Sequence, residues 1–482
     1  MSVVLNFVPV MGGDDLFLEF HEIGTTNKYL IWGYLLLAVI VILRLVLKRD
    51  IEDKLLLFFA LFFLLTGNYN SILAFHIPGI SFFEIKPNRF LFILFSLFLV
   101  KSLILPSPKR PLQTNWKIPW FFLALLLFVS WIFISQFANV NQVGVTNFVE
   151  ESMNALAFVV IIIAVRHFSS PQTIALIGKV ILLAAVASSI ISLTQIIFPY
   201  FMRMGDLRSA FGDTLRANGM FRTEYYNAYF MILGIAWTLR NITSAQLRIG
   251  IVVLLSLGVL STFQRMSWLI LSVVMLIYVL FLNRPIRRFI PLGVVATALL
   301  MIVALFYYNS FKNSSLVQDR LSDSIEGRYG YYSMVTDNIG QRPIFGFGGT
   351  NNEVYYQGML QVTGMRERAT GEAGDIHSGY FSSLFYYGLP GLLFFLAFTV
   401  LAIWYFARLL SFDSFFMIPL FIAILFAVAN LTNTLLFSKY LAVVYAIHLG
   451  IGLGMRDRIS EASSFKKDAD LSDVRNADGY IY

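Results

Sequence analysis

The 482-residue chain has no cysteine, so it forms no disulfide and does no thiol chemistry. Charge is scarce: 13% of residues are charged against 58% hydrophobic, and mean hydropathy is +0.72. That balance excludes a water-soluble globule. Its apolar runs are continuous rather than alternating, which excludes an outer-membrane barrel. Histidine is rare, with five in all. No Gly/Ser-rich or Pro-rich linker divides the chain, so residues 1–455 read as one integral-membrane domain followed by a polar tail, 456–482. Near the start, Asp14, Asp15, Glu19 and Glu22 have the wrong sign for the n-region of a cleavable signal peptide. The net charge of +8 calls for no nucleic acid, because cytoplasmic loops facing anionic membrane lipids account for it.

What the chain has is apolar runs of about 20 residues, each long enough to cross a hydrocarbon core of about 30 Å. They lie near 29–47, 55–75, 90–105, 119–136, 148–165, 174–198, 225–239, 249–263, 267–283, 289–308, 381–406, 415–432 and 440–455. The expected fold is all-α and polytopic, with about 12–13 transmembrane helices. Counting Lys and Arg in alternate loops places Lys48, Arg49, Lys54, Lys109, Arg110, Lys117, Arg166, Arg240, Arg248, Arg284, Arg287, Arg288 and Arg408 on the cytoplasmic side. The tail then lies inside and the N-terminus outside. The other face carries 76–89, 137–147, 199–224, the short turn 264–266 and one large loop, 309–380.

Loops of that length are functional or disordered, and this one has aromatic material to pack, including Tyr331, Tyr332, Phe345 and Phe347. Ser333 to Asn338 reads as a short helix ended by the Arg342-Pro343 turn. Gly346, Gly348 and Gly349 let backbone approach something closely. The tail, rich in Asp, Lys and Ser, reads as disordered, and its Asp468-Ala469-Asp470 as a chance likeness to a metal-binding triplet.

Arginines on the exoplasmic face run against the positive-inside bias: Arg203, Arg208, Arg216, Arg222, Arg265 and Arg328. Taken singly, each reads as a snorkelling side chain or a loop ion pair with Asp206, Asp213 or Asp323. Gathered on one face, guanidinium groups suit a membrane-held phosphate ligand, and a lipid-linked diphosphate fits both conditions. Displacing such a diphosphate from a sugar builds charge on the leaving oxygens, which arginines there would stabilise without a metal. His377, at the membrane boundary where the large loop re-enters an apolar run, is the candidate general base. Glu372 and Asp375 are the alternatives, although both also suit charge balance for Arg366 and Arg368.

These residues resemble the O-antigen ligase and O-antigen polymerase superfamily of bacterial envelope glycan assembly. His377-Ser378, nine residues, Gly388, two residues, Gly391 resembles the ligase signature. Arg216-Ala217-Asn218-Gly219-Met220-Phe221 with Asn227 is similar to the family's arginine–glycine–aromatic segment before a span. Arg265, after Ser261-Thr262-Phe263-Gln264, looks like its arginine at a helix–helix turn, though Gln264 stands where the family usually has Ser. Gly327-Arg328 and Pro343-Ile344-Phe345-Gly346-Phe347-Gly348 resemble the start of its large periplasmic loop.

The resemblance implies a metal-independent, cofactor-free, inverting glycosyl transfer from undecaprenyl diphosphate to an acceptor hydroxyl, at the periplasmic face of the bacterial inner membrane. It puts Arg265 and Arg328 on the diphosphate and His377 near the acceptor, with Arg216, Arg222 and Ser378 also binding substrate. A ligase would use a lipid A-core acceptor and a polymerase another lipid-linked repeat; the signature leans to the ligase, and transfer to protein stays open. The alternative from another class is a flippase or transporter, which predicts internal repeats and a charged central cavity.

Overall fold

The computed structural model describes residues 25–46, 60–62, 64–65, 75–76, 84–85, 96, 118–203, 209–211, 214–221, 223–278, 330–349, 376, 378–431, 433 and 440–477. They form an all-α assembly of α1 (Thr25–Val46), α2 (Trp120–Ala138), α3 (Val145–Phe168), α4 (Pro171–Ile197), α5 (Glu224–Asn241), α6 (Ala245–Ser261), α7 (Arg265–Ile277), α8 (330–338), α9 (Gly379–Leu409), α10 (Met417–Ala429) and α11 (Tyr440–Ala477). Two small antiparallel ribbons, Phe75–His76 with Glu84–Ile85 and Ser209–Phe211 with Thr214–Leu215, are the strands described.

Among the described residues, α2, α3, α4 and α9 are long and apolar enough to cross a membrane, while α6, α7 and α10 are shorter apolar helices. The described helices follow the predicted runs closely. The run at 289–308, all of 90–105 but residue 96, most of 55–75 and the end of 267–283 lie outside the described residues. Large apolar side chains point outward as well as inward: Leu183 is 70% and Val400 60% exposed, while Trp237 is 1% exposed within the bundle. Apolar surface on both sides of a helix fits surroundings of lipid, not water.

Close approach between helices is arranged by small residues, as expected where lipid supplies no hydrophobic drive between spans. A Cβ on Gly178 of α4 would collide with the Trp237 ring of α5, and one on Gly258 of α6 with the Ser189 hydroxyl of α4. Ser189 also donates to the Leu254 carbonyl across that gap, 2.8 Å. α2 and α9 run antiparallel, with Phe121 beside Phe406 and Phe128 beside Phe395, at ring-centroid distances of 5.7 and 5.2 Å.

α3 and α11 run side by side. The side chain of Arg166 is 5% exposed and pairs with Asp457 at 2.6 Å, and Arg458 donates to the Ser169 carbonyl. α11 continues to Ala477, through the tail for which composition predicts disorder. Residues 456–477 contain neither proline nor glycine, so although Asp and Ser are weak helix formers, no strong breaker stops the helix that α11 begins.

Candidate functional site

One end of the bundle gathers the segments that the sequence singles out. The 216–221 segment is hooked onto the α6–α7 turn by the Ala217 amide, which donates to the Ser261 carbonyl at 3.2 Å. Buried side chains of α4 and α5 hold it from beneath. Gln195 Oε1 accepts from the amides of Asn218 (2.9 Å) and Gly219 (3.0 Å). The Ser188 hydroxyl accepts from the Met220 amide at 3.0 Å and donates to Asn227 Oδ1 at 2.8 Å, while Asn227 Nδ2 donates to Ser192 Oγ at 2.8 Å. Gly219, at φ +56°, sits where a Cβ would strike Ser188 and Asn227. Asn227 is therefore part of the floor of this segment.

Arg265 opens α7, follows the turn in which Phe263 takes φ +51°, and is exposed. Among the described residues no carboxylate pairs with it. Arg216 differs: its NH1 donates to Glu224 Oε1 at 2.8 Å, with the arginine side chain 33% and the glutamate 3% exposed. Its partner is this glutamate at the start of α5, not the loop aspartates that sequence suggested. Arg203 is 1% exposed, donates to the Pro199 carbonyl (2.7 Å) and, through NH2, to the Arg216 carbonyl (2.9 Å). Burial lowers its pKa, and the charge of Glu224 acts the other way.

The large loop enters the same end. α8 is followed by a 3₁₀ turn, Ile339–Gln341, and then by the 342–345 turn, as the proline predicted. Arg342 NH1 donates to Asn139 Oδ1 (2.6 Å) and Gln142 Oε1 (2.8 Å) at the end of α2. The glycine-bearing stretch then lies against α9. There Gly388 takes φ 72°, ψ −172°, and with Pro390 two residues on it breaks the helix.

Carbonyls freed by the break are met by other donors. Phe347 N donates to Phe385 O (2.7 Å), Gly348 N to Tyr386 O (2.9 Å) and Trp131 Nε1 to Tyr387 O (2.8 Å). In return Leu389 N donates to Pro343 O, 2.8 Å. A Cβ on Gly346 would lie 2.6 Å from Gly388 N, and one on Gly388 would run into Ile344 O. The glycine spacing of the signature is thus a docking point for the loop.

Ser378 caps α9, accepting from Phe381 N at 3.4 Å and donating to Asn430 O at 3.1 Å; it is 2% exposed. The Gly379 amide donates to Asn430 O (2.8 Å) and Asn433 O (3.1 Å), and Asn433 Nδ2 reaches Tyr229 OH of α5 at 2.9 Å. These bonds tie the α9 start and the α10 end to the end of α5 that carries Glu224. Ile376 is buried with Tyr331, Met334, Val335, Phe347 and Phe385. Both neighbours of position 377 are therefore fixed. His377, Arg328 and Arg222 themselves lie outside the described residues, as do Arg208, Glu372 and Asp375.

Residues 250–396 match the family model described as O-antigen ligase. The chain carries an O-antigen ligase family domain. The match runs from α6 through the broken segment of α9, taking in Arg265, Arg328, His377, Ser378, Gly388 and Gly391, while Arg216 and Arg222 precede it. With its membrane-length apolar helices, the chain is a membrane enzyme of the O-antigen ligase/polymerase type. No curated protein matches the chain. Sequence reasoning did not single out Gln195, Asn227's serine partners, Trp131, Asn139 or Glu224. Gln195, the two serines and Trp131 are polar or amphipathic side chains inside apolar runs, which is the one signal that marked them, while Asn139 and Glu224 stand just outside such runs.

Proposed function

We propose that this enzyme transfers a glycan from undecaprenyl diphosphate to an acceptor hydroxyl at the periplasmic face of the bacterial inner membrane, in the manner of an O-antigen ligase with a lipid A-core acceptor. The observation that carries the reading is the convergence, within and beside the matched domain, of the Arg216 segment, the Arg265 turn and the fixed flanks of position 377 at one end of the bundle. Arg265 is exposed there without a carboxylate partner among the described residues, which suits a guanidinium kept for a ligand phosphate.

In this mechanism Arg265, with Arg328, binds the diphosphate and stabilises the charge that grows on its bridging oxygen as the anomeric C–O bond breaks. His377 takes the proton of the acceptor hydroxyl as that oxygen attacks from the opposite face, inverting the anomeric centre, and no metal takes part. Ser378, committed to the cap of α9 and to Asn430, orients its neighbour rather than reaching substrate itself. Arg216 and Arg222 contribute to binding the donor.

The test is transfer by the purified full chain, with lipid-diphosphate-linked glycan as donor and either lipid A-core or a second lipid-linked repeat as acceptor, read by product mass. Transfer to lipid A-core supports the ligase reading; transfer only to the second repeat makes the enzyme a polymerase. If His377→Ala and Arg265→Ala both transfer as well as the wild type, the site assignment is wrong. Donor crossing vesicles with no glycosidic bond formed would favour transport instead.

A further inference from the structure

Arg216 is only half committed. NH1 is held by Glu224, yet the Nε–H, on the other edge of the guanidinium, is buried and has no acceptor among the described residues. A buried donor left without an acceptor loses its hydration with nothing in return, so such a group calls for an explanation. Nε and NH2 form the edge of a guanidinium that meets a phosphate with two parallel hydrogen bonds. The side chain remains 33% exposed, so the group sits at the boundary of the site and not deep in the protein.

Glu224 is well placed to hold it there. The carboxylate is 3% exposed at the first residue of α5, where the helix terminus favours negative charge. The segment that carries Arg216 is held as well. The backbone of Arg216 is gripped by Arg203 NH2, and the next residues are pinned by Ser261, Gln195 and Ser188. With main chain and NH1 both anchored, the guanidinium plane has little freedom left.

We propose that Glu224 is a positioning residue for the donor phosphate: it clamps NH1 of Arg216 and presents the unpartnered Nε edge to a phosphate oxygen. This rests on the proposed function. It adds a residue outside the matched domain and states which edge of Arg216 does the binding. Loss of the Glu224 charge frees Arg216 to swing and acts on donor binding, not on the acceptor.

The test is steady-state transfer by the full chain in proteoliposomes, varying donor and acceptor separately, for Glu224→Gln, Glu224→Asp, Arg216→Ala, Arg265→Ala and the double variant Glu224→Gln/Arg216→Ala. Glu224→Gln is expected to raise the donor KM about tenfold, the factor of one charge-assisted hydrogen bond, and to leave the acceptor KM within about twofold. Glu224→Asp, which keeps the charge on a shorter arm, should fall between. With Arg216 already replaced by alanine, Glu224→Gln should add less than about twofold.

The proposal is overturned if the two single effects multiply in the double variant, or if the donor and acceptor KM rise together. It is equally overturned if Glu224→Gln and Glu224→Asp leave the donor KM alone while Arg216→Ala raises it. Should Glu224→Gln fail to fold, Glu224→Asp carries the test with the same donor-against-acceptor split. If Arg265→Ala and Arg216→Ala are both silent, it is the donor-binding reading of this end that fails.

Discussion

Arg265 and Arg216 stand at the same end of the bundle in opposite states, one exposed with no carboxylate partner among the described residues, the other tied to Glu224. Their substitutions should therefore behave differently. On the proposed function Arg265→Ala removes a charge directed at the leaving group, and it is expected to lower kcat on the order of 10²-fold or more with little change in melting temperature. Arg265→Lys should recover part of it, because an ammonium keeps the charge but not the planar fork. Arg216→Ala removes the ion pair that it makes with the buried Glu224, so on the proposed function a loss of thermal stability should accompany weaker donor binding. Parallel melting curves and donor titrations separate the two cases.

At the scale of elements, the break in α9 is the most constrained feature. Gly388 combines a left-handed φ with a Cβ position already filled by the Ile344 carbonyl. Gly388→Ala is thus expected to cost about 3 kcal/mol or more and to abolish transfer, measurable as a large drop in melting temperature together with lost product. Gly391→Ala is a milder case. Its Cβ would collide with Tyr387 Cβ, but its backbone is helical, so no left-handed strain is added. A smaller loss of stability is the expected result.

The sequence made Gly388 visible as half of a spacing, but not its conformation. A glycine followed by Leu-Pro-Gly reads equally as a helix start, and nothing local says that the 343–348 backbone lies against it. The 342–345 turn, by contrast, was legible, because proline restricts the residue before it and ends the preceding turn whatever surrounds it. The pairing of Arg216 was illegible for a different reason. Several carboxylates lie within reach along the chain, and only the fold of the 216–221 segment over Gln195 and Ser188 turns the side chain toward Glu224.

For the whole molecule, the two ends of the bundle are chemically distinct. The site end holds Arg265, Arg216 and the docked loop. The opposite end holds Arg166 with Asp457, Arg240 at the close of α5 and Arg408 at the close of α9. On the proposed orientation the site end is the external face and the opposite end the cytoplasmic one. Since the chain has no cysteine, single-cysteine variants report without background. Phe345→Cys at the site end and Phe412→Cys beyond α9, both at exposed positions, should react with an impermeant maleimide from opposite sides of sealed vesicles. Labelling from the same side would refute the arrangement. Asp457→Asn tests the other end. With Arg166 and Asp457 both nearly buried, it should destabilise the protein by about 2–3 kcal/mol while leaving the donor KM unchanged in the folded fraction.

The loop and the helix it leans on share their hydrogen bonds. Phe347 and Gly348 close the carbonyls that α9 cannot close for itself, and Leu389 closes one for the loop. Neither partner can let go alone without stranding the other's polar backbone in an apolar setting. The amides of Phe347, Gly348 and Leu389 should therefore exchange with deuterium as one cooperative group, at a common rate, although some forty residues separate them in the chain. Any change that lifts the 343–348 stretch breaks the hydrogen bonds of both partners in the same event.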